Sequence, residues 1–254
     1  MAIIALKAWY LEQYEPARDL EKRPQDLRLS RNSLLKAGLR ADFLDDSADV
    51  RKSAWFQRYL IGETVEFYIE GSGTYAISNI DLLSHEIYFT KQESVVQLEP
   101  FIFFCYQTDY PESSALLREG LQKLLEKVNR RSRLPLTLEE SNRSGEGALK
   151  RNSPLMRKLR QSLLFIADGT SVTELPGTPP RLLPSANVCV ELGYALQCKR
   201  PEQLILARQE RTDLPGHFPF EIPSQQQLTF HNATDLAAQL KAIVEVQLKR
   251  YGLI

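Results

Sequence analysis

The chain has 254 residues, enough for one large domain or two small ones, and its 43% hydrophobic and 25% charged content is that of an ordinary globular protein. Thirty-two basic residues balance thirty-two acidic ones, so no global field favours nucleic acid or an anionic membrane, and no apolar stretch approaches the length of a membrane span. Three cysteines (Cys105, Cys189, Cys198), odd in number and without metal-ligand spacing, argue against a disulfide framework and point to a reducing, cytoplasmic setting.

Residues 1 to about 95 read as β-rich. The opening MAIIALKAWYLEQY meets charge early and has no small-residue cleavage site, so it is a strand (Ile3 to Leu11) and not a signal peptide. A polar segment runs to Asp26, and Leu27 to Phe43 reads as strand, turn and short strand. The alternation in Thr64 to Glu70, the Gly71-Ser72-Gly73 turn and the returning Thr74 to Ile77 predict a hairpin, because glycine supplies the positive φ of a tight turn. Glu86 to Phe89 is the next strand of the meander. Trp9, Tyr10, Trp55, Phe56 and Tyr68 are assigned to its core. The basic residues Arg18, Lys22, Arg23, Arg28, Arg31, Lys36 and Arg40 are interleaved with acids and read as a solvated face.

A boundary is expected between Ser94 and Pro100, dividing a β-rich domain at 1–96 from an α/β domain at 97–254. Beyond it the pattern becomes strand-helix alternation, the mark of a parallel sheet. Phe101 to Cys105 is a continuous apolar strand ending in Tyr106-Gln107-Thr108-Asp109-Tyr110, and a helix follows from about Ser113. Leu136 to Glu139 is a second short strand, and Glu140 to Lys150, with Gly145 and Gly147, reads as a mobile loop. Ser153-Pro154 opens a helix, Pro standing in the first turn. Ser162 to Asp168 is a buried strand closed by Gly169-Thr170-Ser171. Glu174 to Ser185, carrying Pro176, Pro179, Pro180 and Pro184, is read as a long loop without regular structure, a kind that is commonly functional. Asn187 to Leu196 forms the first turns of a helix packed through Val188, Leu192 and Ala195, with Glu191 at the rim of that face and Gly193 leaving room for a close approach. Strands Gln203 to Ala207 and Gln227 to Phe230 and a helix from Thr234 or Asp235 complete five strands with interleaved helices.

The ligand crevice of an open α/β sheet lies beyond the carboxyl ends of its strands. The first strand delivers Tyr106, Gln107 and Asp109 there, the third delivers Asp168, Gly169 and Thr170, and the helix after it brings Asn187 and Glu191. Tyr106 either stacks on a base or walls the crevice. Asp168 either binds a ribose hydroxyl or caps its strand by accepting from loop N–H groups, and Asn187 is read first as an N-cap and second as a ligand contact. Cys189 is assigned to packing, and His217 and His231 to loops. No metal site is expected.

Strand, Asp, loop and Asn-Val-x-x-Glu-Leu-Gly-Tyr-Ala, together with Phe-Phe-Cys-Tyr-Gln-Thr-Asp, resemble the TIR-like nucleotide-binding proteins and, more distantly, the nucleoside deoxyribosyltransferases, over roughly the last 155 residues. Cys105 and Thr108 stand where the TIR-like run carries serines. The resemblance implies a flavodoxin-like or TIR-like parallel sheet of five strands with helices on both faces, after a small β-rich domain. It implies an NAD+ glycohydrolase that breaks the nicotinamide-ribose bond, with Glu191 catalytic and Tyr106, Gln107, Asp109, Asp168 and Asn187 holding a substrate that is NAD itself, not a cofactor. It also implies a triggered effector of bacterial anti-phage defence, oligomeric when active and controlled by a ligand or protein partner through the N-terminal domain. A nucleoside deoxyribosyltransferase or nucleotide hydrolase, and a nucleotide sensor that does not cleave, are the alternatives.

Overall fold

The computed structural model describes residues 5–30, 33–35, 38–92, 95–141, 153–178, 180–214, 223 and 226–254. The expected loop at Glu140 to Lys150 lies outside these from residue 142 onward, as does His217. The chain divides into two compact units, Met1–Leu98 and Glu99–Ile254.

The first unit is a single antiparallel sheet. Its elements in chain order are β1 (Ala5–Tyr10), α1 (Ala17–Leu20), β2 (Leu27–Ser30), β3 (Ser33–Leu35), β4 (Gly38–Asp42), α2 (Ser47–Lys52), α3 (Ala54–Leu60), β5 (Glu66–Ile69), β6 (Gly73–Asp81) and β7 (Glu86–Lys91). Seven strands run in the order β2-β1-β5-β6-β7-β4-β3. A bridge from Leu29, in β2 at one edge, to Phe43, just after β4, bends the sheet toward a barrel. Closure of this kind removes exposed strand edges. Alternate residues face inward, so Ala8, Leu27, Leu29, Leu39, Ala41, Phe67, Ile69, Ile87 and Phe89 form one core.

The glycine turn between β5 and β6 has Gly71 at φ 68° and Gly73 at φ 114°, as a tight hairpin requires. Two helices between β4 and β5 are not announced by a strong apolar period. Each is begun by a side-chain cap, Asp46 accepting from the Ala48 N–H at 2.7 Å and Ser53 from the Phe56 N–H at 3.3 Å. They carry Trp55 and Phe56 into the core, where the Trp55 ring meets Phe67 edge-on at 5.1 Å.

The second unit contains β8 (Glu99–Cys105), α4 (Pro111–Asn129), β9 (Thr137–Glu140), α5 (Pro154–Gln161), β10 (Ser162–Asp168), β11 (Thr173–Leu175), β12 (Arg181–Leu183), α6 (Ala186–Cys198), β13 (Leu204–Gln209), β14 (Gln227–Phe230) and α7 (Ala233–Arg250). Its main sheet has five strands in the order β14-β13-β10-β8-β9. All four pairings are parallel. Every residue of β10 is buried, which explains its unbroken apolar run.

Phe103, Cys105, Phe165, Ala167, Leu204 and Leu206 point to one face, against Leu159 of α5 and Val188, Leu192 and Ala195 of α6. Ile102, Phe104, Leu164 and Ile166 alternate with them and are equally buried. Helices α4 and α7 pack on each other over that second face. Ser153 caps α5 by accepting from Met156, and Asn232 caps α7 by accepting from Thr234 and Asp235.

The expectation of a structureless Pro-rich loop is overturned. Residues 173–175 and 181–183 pair antiparallel, β11 with β12, in the register Thr173↔Leu183 and Leu175↔Arg181. Proline permits this because each strand has only three residues and Pro176 and Pro180 flank the paired positions.

Candidate functional site

The strand order reverses between β8 and β10, since β9 lies outside β8 while β13 and β14 lie outside β10. A crevice beyond the carboxyl ends of two such strands is where open α/β sheets bind ligands. Here the segment after β8 (Tyr106 to Tyr110), the segment after β10 (Gly169 to Ser171) and the residues leaving β13 (Glu210, Arg211) stand at that position in the topology.

Asp168 ends β10 with a fully buried carboxylate. Its Oδ2 accepts from the hydroxyls of Ser113 and Ser114, each at 2.6 Å, and its Oδ1 accepts from the Thr170 N–H at 3.0 Å. Ser114 Oγ in turn accepts from the Gln107 N–H at 3.0 Å, and Thr170 Oγ1 accepts from the Gln209 N–H at 2.9 Å. Of the two readings of Asp168, the geometry matches the strand-end cap, because its oxygens are already engaged by these donors. A buried carboxylate needs such partners to offset its lost hydration. Gly169 is required by close approach. Its N–H donates to the Ala207 carbonyl at 2.7 Å, and a Cβ there would lie 2.6 Å from Leu206 Cδ1.

Gln107 is 1% exposed and sends its side-chain amide to the Thr170 carbonyl at 2.9 Å. Its Oε1 is buried with no hydrogen-bond partner among the described residues. Tyr106 is half-buried, its ring tilted against Phe104 at 6.3 Å. The Arg118 guanidinium lies 5.3 Å from the Tyr106 ring centre and is held by a two-pronged ion pair to Glu140 at 2.6 and 3.1 Å. Asp109 is exposed.

Glu191 lies on α6, and its placement departs from the expected rim position, for it is 2% exposed. It stands five residues after Ala186, where α6 begins, about one and a half turns along the helix. Asn187 is not the N-cap. That position is Ser185, so Asn187 is the second helical residue, and it is exposed. Gly193 is exposed as well, and a Cβ there would meet nothing within 4 Å, so no close approach within the unit requires it.

Several site groups escape sequence reading. Ser113 and Ser114 look like ordinary first-turn residues, and only the sheet brings them to Asp168. Arg211 was signalled only by standing where β13 leaves the sheet. Its Nη1 donates to the Ser171 carbonyl at 3.1 Å, its guanidinium lies 4.3 Å over the Tyr110 ring, and it pairs with Asp213. His231 is exposed and pairs with Glu210 at 2.8 Å and Asp235 at 3.5 Å. Burial pushes the Cys189 thiol up, away from thiolate chemistry. Among the described residues no group of three or more His, Cys, Asp or Glu is placed to hold a metal ion, and no helix is long and apolar enough to cross a membrane.

No protein-family model and no curated protein matches the sequence.

Proposed function

We propose that the second unit is a TIR-like nucleotide-binding domain that cleaves the nicotinamide-ribose bond of NAD+, with Glu191 as the catalytic carboxylate. The observation that carries this reading is the burial of Glu191, 2% exposed, on the helix that follows the central strand. A carboxylate is costly to bury, and perturbed environments of this kind concentrate at functional sites. The strand order, numbered along the unit as 2-1-3-4-5, is that of flavodoxin-like sheets, and it supports a ligand crevice at the β8/β10 switch point.

Departure of nicotinamide leaves oxocarbenium-like positive charge on the ribose. A fixed carboxylate in a water-poor site stabilises that charge as it develops and does little for the neutral ground-state sugar. Glu191 either holds the cation for attack by water or bonds to it covalently, as in retaining glycoside hydrolysis. Tyr106, with Arg118 over its ring, walls the side where a base would stack. Gln107 offers its buried Oε1 to a substrate hydroxyl. The first unit is assigned a regulatory or assembly role.

The test is incubation of the full chain with NAD+, alone and across a range of protein concentrations, with products separated by chromatography. Nicotinamide and ADP-ribose are expected, and they are expected to vanish with Glu191→Gln. Exchange of base between deoxynucleosides, with NAD+ untouched, would instead identify a deoxyribosyltransferase.

A further inference from the structure

Helix α6 begins at Ala186 with Ser185 in the N-cap position, yet the Ser185 side chain makes no capping bond. A serine there ordinarily accepts from a first-turn N–H. Ser185 is 4% exposed, and its Oγ has no hydrogen-bond partner among the described residues. Ser171, also 4% exposed, has an Oγ in the same state. The hairpin brings their two segments together. Thr173 pairs with Leu183 and the Val172 N–H donates to the Leu183 carbonyl at 2.8 Å, so the segments that carry Ser171 and Ser185 both leave the base of the hairpin. The Arg211 guanidinium reaches the same point through its 3.1 Å bond to the Ser171 carbonyl.

We propose that Ser171, Ser185, the first-turn N–H groups of α6 and Arg211 bind a phosphoryl group of the nucleotide substrate. Helix starts present free N–H donors and a partial positive charge to an anion. Two hydroxyls can each donate to a phosphoryl oxygen, and Arg211 supplies the cation. Its present partner Asp213 has a side chain 64% exposed, so it can yield to a competing anion without being stranded in the interior. Glu191 stands six residues further along α6, about 9 Å along the axis, a spacing on the scale of a nucleotide from sugar to phosphate. This inference rests on the nucleotide reading above and narrows it to phosphorylated substrates over free nucleosides.

The experiment is calorimetric titration of the full chain with AMP, adenosine and inorganic phosphate, using wild type, a Ser171→Ala/Ser185→Ala double variant and Arg211→Gln. AMP is expected to bind at least tenfold tighter than either other ligand. The double variant, whose melting temperature should match wild type because neither hydroxyl holds a partner, should lose that preference while keeping its adenosine affinity. Arg211→Gln should weaken AMP alone, and AMP should shift the backbone amide resonances of Ala186 and Asn187. Equal affinity for AMP and adenosine, or a preference retained by the well-folded double variant, would overturn the site. Inorganic phosphate binding as tightly as AMP would overturn its link to a nucleotide. NAD+ cleavage with an unaltered AMP preference in the double variant defeats this inference alone. An AMP preference that depends on both serines, in a chain that leaves NAD+ intact, defeats only the glycosidic reading.

Discussion

The side-chain amide of Gln107 donates to the main-chain carbonyl of Thr170 over 2.9 Å, and this bond ties the segment leaving β8 to the segment leaving β10. Both groups are buried, and they span the point where the strand order reverses. The two sides of the switch point are therefore joined by a hydrogen bond and do not merely lie near each other. Gln107→Met keeps the length of the side chain but leaves the Thr170 carbonyl without this donor. A loss of about 1–3 kcal/mol in urea unfolding is expected, and an unchanged midpoint would show that the bond contributes nothing.

Asp168 should behave as a structural residue. In Asp168→Asn one oxygen becomes an NH2 that faces the hydroxyls of Ser113 and Ser114 or the Thr170 N–H, all of which now donate. A destabilisation of about 2–3 kcal/mol is expected from the charged hydrogen bonds lost. Thermal and denaturant melts check this. A variant as stable as wild type but weakened in nucleotide binding would return Asp168 to a ligand role.

Glu191→Gln separates chemistry from folding. If the carboxylate stabilises charge in the transition state, its removal costs on the order of a hundredfold or more in turnover. A melt of the same variant shows that it is folded, so that lost turnover is read as lost chemistry. Full activity in the folded variant would remove Glu191 from the mechanism.

Two glycines of the second unit should respond in opposite directions to alanine. At Gly193 the added methyl meets nothing within 4 Å, and alanine is the better helix former, so a gain of about 0.5–1 kcal/mol is expected. At Gly169 the methyl collides with Leu206, buried in the α6-facing core, and a loss of about 1–3 kcal/mol is expected from overpacking. Paired denaturation curves test both. Stabilisation at Gly169 would mean that Leu206 moves aside freely.

Lys199 gives stability a pH dependence. It is buried at the end of α6 and donates to the carbonyls of Arg160, at 3.0 Å, and Ser162, and burial pushes its pKa from 10.5 down to about 7. Between these values the unfolded chain binds the proton and the folded chain releases it, so stability rises with pH by up to about 1.4 kcal/mol per unit. Below about pH 7 both states carry the proton and the contribution is flat. Burial pushes the neighbouring Cys198 thiol up from 9.0, which opposes the trend at higher pH. Denaturation from pH 7 to about 8.5 is therefore the cleanest window. Lys199→Met should flatten the slope there, and an identical slope in the variant would show that Lys199 is not its source.

Much of the second unit was legible from its sequence because a strand buried on both faces needs an unbroken apolar run, as in Phe101 to Cys105 and Ser162 to Asp168. The helix face of Val188, Leu192 and Ala195 was legible for the same reason, since burial of one face imposes a period of its own. Parallel order and the position of residues 106–107 and 168–170 at one edge followed from the alternation of those strands with helices. In the first unit the glycines at 71 and 73 announced their hairpin, because few other residues adopt positive φ. Helices α2 and α3 went unseen, being short and defined by their caps and by Trp55 and Phe56 and not by a long apolar period.

What the sequence alone determined, then, is which segments are buried and with what period, because hydrophobic burial is written residue by residue along the chain. Partnership was decided only by the tertiary structure. Ser113 and Ser114 meet Asp168 from more than fifty positions away, the segments of Ser171 and Ser185 come together only at the base of the hairpin, and Glu191 sinks from the rim into the interior. Hydrogen bonds are directional and short, so their partners depend on how elements pack to within about an ångström. No local pattern of residues carries that information.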